Sequence, residues 1–207
     1  MTTYASYKDA WRTACSRDGL EACIRRYLIV SRRANFVPVK ALALAAYEAR
    51  KGFPLRMTLI QNVHTVCALA HSDPLSLFAQ SQWINNPYKC NENDGCKPED
   101  AAWLTADFVH ECNSFGTGNP LFYTAYLIGT FCRIAPFQTE NLPCALVLAT
   151  HYLLAHGLAP ILFFDDMQSA FEHASKIYME CEDVHPLRKT LMQAAARSKG
   201  PLCLERF

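Results

Sequence analysis

The chain has 207 residues, of which 51% are hydrophobic and 19% are charged, and its formal net charge is +1. This composition excludes a disordered chain, and it argues against a protein whose whole surface binds nucleic acid. The length suits one domain with a buried core, and the segment Met1–Ser31 lacks the pattern of a secretory signal.

Apolar residues recur at helical spacing along most of the chain, and turn residues separate the repeats. The pattern predicts about nine helices, and therefore a domain of the all-α class. The predicted helices are, in chain order, Tyr4–Ser16, Leu20–Arg33, Val39–Lys51, Leu55–His71, Glu99–Asn113, Pro120–Ile134, Leu142–His156, Asp165–Cys181 and Pro186–Ser198.

The helical pattern is interrupted between residues 76 and 99, where the sequence predicts a loop. Gln80–Ile84 has the composition of a short strand, and Asn85–Pro87 and Asn93–Gly95 contain turn signals. We therefore expect a β-hairpin within this loop, and no other β-structure in the chain.

The longest apolar stretch extends from Leu142 to Phe164. Histidine, glycine and proline residues interrupt it, whereas a membrane span needs about 20 largely apolar residues. We expect a helix that is buried on all sides and is followed by a turn. A membrane anchor is the second interpretation of this stretch.

The ten cysteines are irregularly spaced, and no Cys-x-x-Cys pair occurs. Most of them lie within apolar helical patterns, where a free thiol packs as a small hydrophobic group. We therefore expect mostly unpaired thiols and a reducing, cytoplasmic compartment. Cys90 and Cys96 flank a turn, but two ligands do not complete a metal site, and we predict no bound metal.

The segment between two of the apolar helices carries a recognisable motif. Ile134–Pro143 reads Ile-Ala-Pro-Phe-Gln-Thr-Glu-Asn-Leu-Pro, with an asparagine four residues after the phenylalanine. This segment resembles the signature His-Pro-Phe-x-(Asp/Glu)-Gly-Asn-Gly-Arg of the Fic/Doc (Fido) family. The flanks agree, since Asn119-Pro120 begins the preceding helix, and Gln82–Ile84 with the asparagine-rich turn resembles the strand and flap that hold a target segment in that family.

The resemblance implies a fold and a division of the chain. It covers residues 37–181 and implies a Fic-like helical bundle around a buried central helix, with a short β-hairpin flap. Residues 1–36 then form an N-terminal helical extension, and residues 182–207 form a C-terminal helix and tail.

The motif departs from the family signature at most of its positions. Ala135 stands where the family has its general-base histidine, and Thr139 stands where it has the acid that holds Mg²⁺. Glu140 and Leu142 replace the two glycines, and Pro143 replaces the arginine that grips phosphate.

Each of these departures removes a physical requirement of the chemistry that the resemblance implies, the transfer of AMP or a similar group to a target hydroxyl. A methyl group cannot accept a proton, and positioned acid–base catalysis typically contributes about 10²–10⁴-fold. Threonine is a weak Mg²⁺ ligand, and non-glycine residues disfavour the positive φ angles of a phosphate-binding turn. Proline lacks the bidentate phosphate recognition of arginine. The sequence therefore argues against transfer by the usual mechanism.

The leading hypothesis is a Fic-fold pseudoenzyme that binds a protein or a small ligand in the former active-site groove. We expect neither Mg²⁺ nor ATP as a cofactor, and neither a membrane nor nucleic acid as a partner. Secretion as an effector into a host cell is a setting that the resemblance leaves open. The predicted contact residues are Ala135, Pro136, Phe137, Gln138, Thr139, Glu140 and Asn141 in the motif loop, and Gln82, Trp83, Ile84, Asn85 and Asn86 in the flap.

Two other hypotheses remain open from the sequence. The first is a divergent Fic-like transferase in which Glu140 acts as the base on a non-standard donor or substrate, because burial can raise the pKa of a carboxylate. The second is an all-α interaction domain unrelated to the Fic family.

Overall fold

The structure is a computed structural model, and it describes residues 21, 24–25, 35–52, 54–71, 96, 100–115, 118–137, 139–156, 158 and 161–197. The predicted helix Tyr4–Ser16 and the predicted hairpin lie outside the described residues. Of the predicted helix Leu20–Arg33, the structure describes Glu21, Ile24 and Arg25, which are helical. Arg25 and Glu21 form an ion pair at 2.8 Å, one helical turn apart.

The described part of the chain is largely helical, as the sequence predicts, and the ends of the predicted helices that it describes lie within two residues of those observed, except that the helix predicted from Asp165 begins at Gln168. Among the described residues no strand forms, although an isolated antiparallel bridge pairs Asn35 with Phe164. The α-helices are α1 (Val39–Arg50), α2 (Met57–His71), α3 (Ala101–Ser114), α4 (Pro120–Ile134), α5 (Asn141–Ala155), α6 (Gln168–Cys181) and α7 (His185–Arg197).

Helix α5 lies at the centre of the bundle and packs against α1, α2 and α4. Its residues from Cys144 to Leu153 are all buried, which confirms the prediction of a helix buried on all sides. Its 15 residues rise about 22 Å, which is less than the roughly 30 Å of a bilayer core. Within the described ranges, no helix is both long enough and apolar enough to cross a membrane.

Helix α4 precedes the motif and begins where the sequence predicts. The Asn119 side-chain oxygen accepts hydrogen bonds from the amides of Leu121 and Phe122, at 3.1 and 3.3 Å. Pro120 occupies the first helical position, where its missing N–H costs nothing. Asn119 therefore caps the helix that leads into the motif loop.

The segment predicted as one helix from Asp165 to Cys181 has two parts. Asp165–Met167 forms a 3₁₀ turn, and α6 follows it. The Met167 amide donates to the Phe164 carbonyl at 2.8 Å, which is the tighter spacing of a 3₁₀ turn. Phe164 and Met167 are both buried, so this turn packs two side chains into the core at the point where the chain enters α6.

Six of the ten cysteines lie in the described part of the chain, and each of these six is a free thiol. Burial raises the thiol pKa values of Cys67, Cys112 and Cys144 above the ordinary value, so these thiols stay protonated at neutral pH. They pack as small apolar groups, as the sequence predicts.

Gly129 allows α4 and α6 to approach closely. A Cβ atom at this position would lie 2.5 Å from the Tyr178 ring, which is shorter than any ordinary contact. Tyr178 is buried, and its hydroxyl is hydrogen-bonded to the Thr130 hydroxyl at 3.1 Å. The tyrosine ring therefore packs on the glycine, and its hydroxyl is fixed by the neighbouring residue.

We expect Gly129→Ala to lower the free energy of unfolding by about 1–3 kcal/mol, because the added methyl overpacks the helix contact. A loss of stability would be informative, because helix propensity alone favours alanine over glycine by about 1 kcal/mol and would raise the free energy of unfolding. Urea denaturation measures the change. In a Tyr178→Ala background the same substitution should cost little, and an equal cost in both backgrounds would contradict the contact.

Candidate functional site

The motif loop, Ala135–Asn141, joins the end of α4 to the start of α5. Ala135 takes a left-handed backbone conformation with a φ of 44°. Its amide donates to the Phe131 carbonyl at 2.9 Å, which satisfies one of the last carbonyls of α4. The helix ends at Ile134, just before this residue, and the two residues that follow Ala135, Pro136 and Phe137, are buried.

Asn141 holds the loop together through two hydrogen bonds to one residue. Its side-chain oxygen accepts from the Phe137 amide at 3.0 Å, and its side-chain nitrogen donates to the Phe137 carbonyl at 2.7 Å. Both backbone groups of Phe137 are thereby satisfied, although neither belongs to a helix. Asn141 is also the first residue of α5, so the loop is tied directly to the start of the central helix.

Phe137 anchors the loop in the core. Its side chain is fully buried and contacts Phe131 of α4, with ring centroids 6.3 Å apart at 47°. On another side it stacks on the imidazole of His64 from α2, with centroids 3.7 Å apart and an angle of 9°. The phenylalanine therefore joins the loop to two helices, and its role is structural.

His64 is the residue of this site that sequence reasoning missed. It is 1% exposed, and its Nε2 lies 3.2 Å from the Thr139 carbonyl. Because a carbonyl only accepts, Nε2 carries the proton and Nδ1 is unprotonated. Nδ1 is buried and has no hydrogen-bond partner among the residues that the structure describes.

Burial keeps this imidazole neutral. Desolvation lowers the pKa of His64 from 6.5 to about 4, and the hydrogen bond to Thr139 opposes that effect only in part. The sequence signal for a packing role is the position of the histidine on the apolar stripe of α2, beside the buried residues Ile60, Val63 and Cys67. His64 thus packs against the buried side of the loop as an uncharged ring.

Glu140 has the backbone conformation that glycine favours. Its φ is 63° and its ψ is 19°, in the left-handed region, which costs an L-residue roughly 1–2 kcal/mol. The sequence predicts that non-glycine residues disfavour such a turn, yet the turn forms here. On one side of Glu140 the Thr139 carbonyl accepts from His64, and on the other side Asn141 is hydrogen-bonded to Phe137. The resemblance aligns Glu140 with a glycine of the Fic signature, so the backbone geometry fits that alignment. Leu142, aligned with the other glycine, is an ordinary helical residue.

Two variants of Glu140 separate backbone strain from side-chain contacts. Glu140→Gly and Glu140→Ala both remove the carboxylate, but only glycine adopts positive φ without a steric penalty. We expect the glycine variant to unfold with a free energy about 1 kcal/mol higher than the alanine variant, as measured by chemical denaturation. An alanine variant as stable as the glycine variant would contradict the left-handed turn.

The polar groups at the start of α5 are a carboxylate, backbone amides and a hydroxyl. Glu140 is the residue before the helix and makes no side-chain capping hydrogen bond. Pro143 is the third helical residue and has no amide hydrogen, which leaves the amides of Asn141 and Leu142 as the donors of the first turn. Thr139 is exposed next to them. Nowhere in the described ranges do three or more His, Cys, Asp or Glu side chains form a group that could hold a metal ion.

The structure brings six of the predicted loop residues into one turn, namely Ala135, Pro136, Phe137, Thr139, Glu140 and Asn141. Gln138 and the predicted flap residues Gln82, Trp83, Ile84, Asn85 and Asn86 lie outside the described residues. Of the six, Pro136 and Phe137 are buried, and Thr139 is the residue that presents an exposed side chain.

Comparison with known proteins supports the fold. No family model matches the sequence, and no curated protein matches it. Among solved structures, the chain is similar to a Fic domain containing signaling protein from Bacteroides thetaiotaomicron, with a TM-score of 0.64 and 16% sequence identity. The match covers 94% of this chain and 86% of that protein. The chain therefore has a Fic-like all-α fold, which confirms the fold predicted from the motif loop.

Proposed function

We propose that this Fic-like fold serves as a binding module that has lost nucleotide transfer, and that it binds a protein or small ligand at the motif loop. The observation that carries the proposal is the identity of the residue at the general-base position. Ala135 offers a methyl group there, and a methyl group cannot accept a proton from a target hydroxyl.

The imidazole that packs against this loop does not supply the missing base. His64 is buried, stacked on Phe137, and its Nε2–H is directed to the Thr139 carbonyl. Its low pKa makes it a poor proton acceptor at neutral pH, and only 1% of the residue is exposed. It acts on the loop through packing and one hydrogen bond.

The polar groups at the start of α5 do not fit a magnesium nucleotide. Mg²⁺ bound together with phosphates requires one or two carboxylates, and the loop position aligned with the family acid carries a threonine. Pro143 has no amide hydrogen to donate at the helix start, and it stands where the family signature has the arginine that binds phosphate. The half-buried Glu140 adds negative charge where the family places negative phosphates.

Binding of a partner is tested by capture from native lysate. Thr139→Arg places a large charged side chain on the exposed part of the loop without removing a described contact of the threonine side chain. We expect this variant to lose most of the captured partner. Gln193→Arg on α7, which adds the same side chain at another exposed position, is the matched control and should retain it. Equal capture by both variants would place the binding surface elsewhere.

Loss of transfer is tested with labelled ATP, Mg²⁺ and the same lysate. We expect no transferred label above background, and calorimetry should show no saturable binding of ATP. Glu140→Gln distinguishes the remaining enzymatic hypothesis, because it removes a base while keeping the size of the side chain. Transferred label that falls about 100-fold or more in Glu140→Gln would show that Glu140 acts as the base and would overturn the proposal.

A further inference from the structure

A cavity of about 90 Å³ lies near the C-terminal end of α5. Ten helical residues, or about 15 Å, separate His151 in its wall from Asn141 in the motif loop, so the cavity is distinct from that loop. The residues that line it are Pro54, Leu55, Cys112, Asn113, Leu127, Leu148, His151, Tyr152, Ala155 and His156.

The cavity has a buried floor and an exposed rim. Leu127 and Leu148 are fully buried, whereas Pro54, Ala155 and His156 are exposed to solvent. A molecule can therefore enter from the surface at the end of α5 and place an apolar part against the two leucines. An engineered cavity of about 150 Å³ holds benzene, and this cavity is smaller, so a ring of that size enters only in part and the rest of it remains at the rim.

The described residues of the lining include His151 and His156 but no Asp, Glu, Lys or Arg. Two buried groups of the lining, the Tyr152 hydroxyl and the Cys112 thiol, become charged when they lose a proton, and both stay neutral at neutral pH. Burial raises the pKa of Tyr152 to about 12, and it raises the pKa of the Cys112 thiol above its ordinary value. Apart from these two histidines, the described walls consist of apolar and neutral polar groups, so the cavity favours an uncharged ligand.

The hydroxyl of Tyr152 is one of the polar groups in the wall. The Tyr152 hydroxyl is buried, in a residue that is 4% exposed, and it has no hydrogen-bond partner among the described residues. Asn113 already makes two hydrogen bonds, because its side chain accepts from the Leu55 amide at 3.0 Å and donates to the Leu55 carbonyl at 2.9 Å. His156 Nδ1 donates to the Tyr152 carbonyl at 2.8 Å.

A buried hydroxyl without a partner is costly, and it is rare in folded proteins. A ligand hydroxyl in the adjoining cavity would satisfy it, since a hydroxyl both donates and accepts. We propose that this cavity is a binding site for a small uncharged molecule with an apolar body and one hydroxyl group, which hydrogen-bonds to Tyr152. The site does not depend on the function proposed for the motif loop.

Phenol is the probe, and backbone amide NMR shifts of the full chain report its binding. We expect saturable shifts at millimolar phenol that are confined to the residues around the cavity. Benzoate has the same ring but carries a charge, and it should bind at least tenfold more weakly. Shifts without saturation, shifts spread over the whole surface, or equal binding of benzoate would each overturn the proposal.

Two variants test the named contacts. Tyr152→Phe keeps the ring and removes the hydroxyl, so phenol should bind about threefold to tenfold more weakly while benzene, which has no hydroxyl, binds as before. Ala155→Phe fills the exposed rim and should abolish binding of both, whereas Ala102→Phe, at an exposed position of α3, should not. Unchanged phenol affinity in Tyr152→Phe, or binding that survives in Ala155→Phe, would overturn the assignment.

Discussion

Truncation of Phe137 to alanine is expected to lower the free energy of unfolding by about 3–5 kcal/mol. The side chain is fully buried between Phe131 and His64, so its removal leaves a cavity between two helices and the loop. For a domain of ordinary stability, this is a large part of the total. Urea denaturation followed by circular dichroism measures the change.

The matched control is Phe122→Ala in α4, where the same substitution removes a side chain that is 39% exposed. This control should cost clearly less, because part of the side chain is already exposed to water in the folded protein. If both variants lose the same stability, Phe137 is not the anchor of the motif loop. Phe137→Leu, which refills most of the volume, should recover part of the loss.

Acidification is expected to destabilise the protein by about 3 kcal/mol through His64 alone. The pKa of this group is 6.5 in the unfolded chain and about 4 in the folded protein, and each pKa unit is worth about 1.4 kcal/mol. Between these two values the unfolded chain binds a proton that the folded protein does not. Stability therefore falls as the pH drops below about 6.5, and this contribution levels off near pH 4.

The experiment is a series of urea denaturation curves between pH 4 and pH 7. His64→Gln keeps a donor for the Thr139 carbonyl and removes the titrating ring, so its stability should depend less steeply on pH, although it is less stable at pH 7. His173→Gln changes an exposed histidine of α6 and should keep the slope of the wild type. A His64→Gln slope equal to that of the wild type would mean that the folded protein admits a proton to this ring.

Most of the helical frame was predictable because local signals mark its ends. Asn119 and Pro120 fix the start of α4 through capping and a preset φ, and both effects depend on a few adjacent residues. The burial of α5 follows from an apolar stretch without a polar face. The 3₁₀ turn at Asp165–Met167 was not predictable, because it depends on how Phe164 and Met167 fit the distant core.

The position of the site in the chain was predictable, but the contacts that hold the motif loop in place were not. The motif identifies the loop, and the asparagine that it places four residues after Phe137 makes both hydrogen bonds to that residue. His64 lies 75 residues before Thr139, so no local pattern connects the two. The conformation of Glu140 runs against its own preference, and one of the contacts beside it, that of His64 with Thr139, comes from a distant part of the chain.

The pair of hydrogen bonds between Asn141 and Phe137 has a consequence for how the turn tolerates sequence change. Both bonds end on main-chain atoms, so they place no demand on the side chains at positions 135, 139, 142 and 143. Reactive groups at those positions can be exchanged without dismantling the turn. A sequence comparison based on the catalytic residues would miss such chains, whereas a comparison of main-chain geometry would find them.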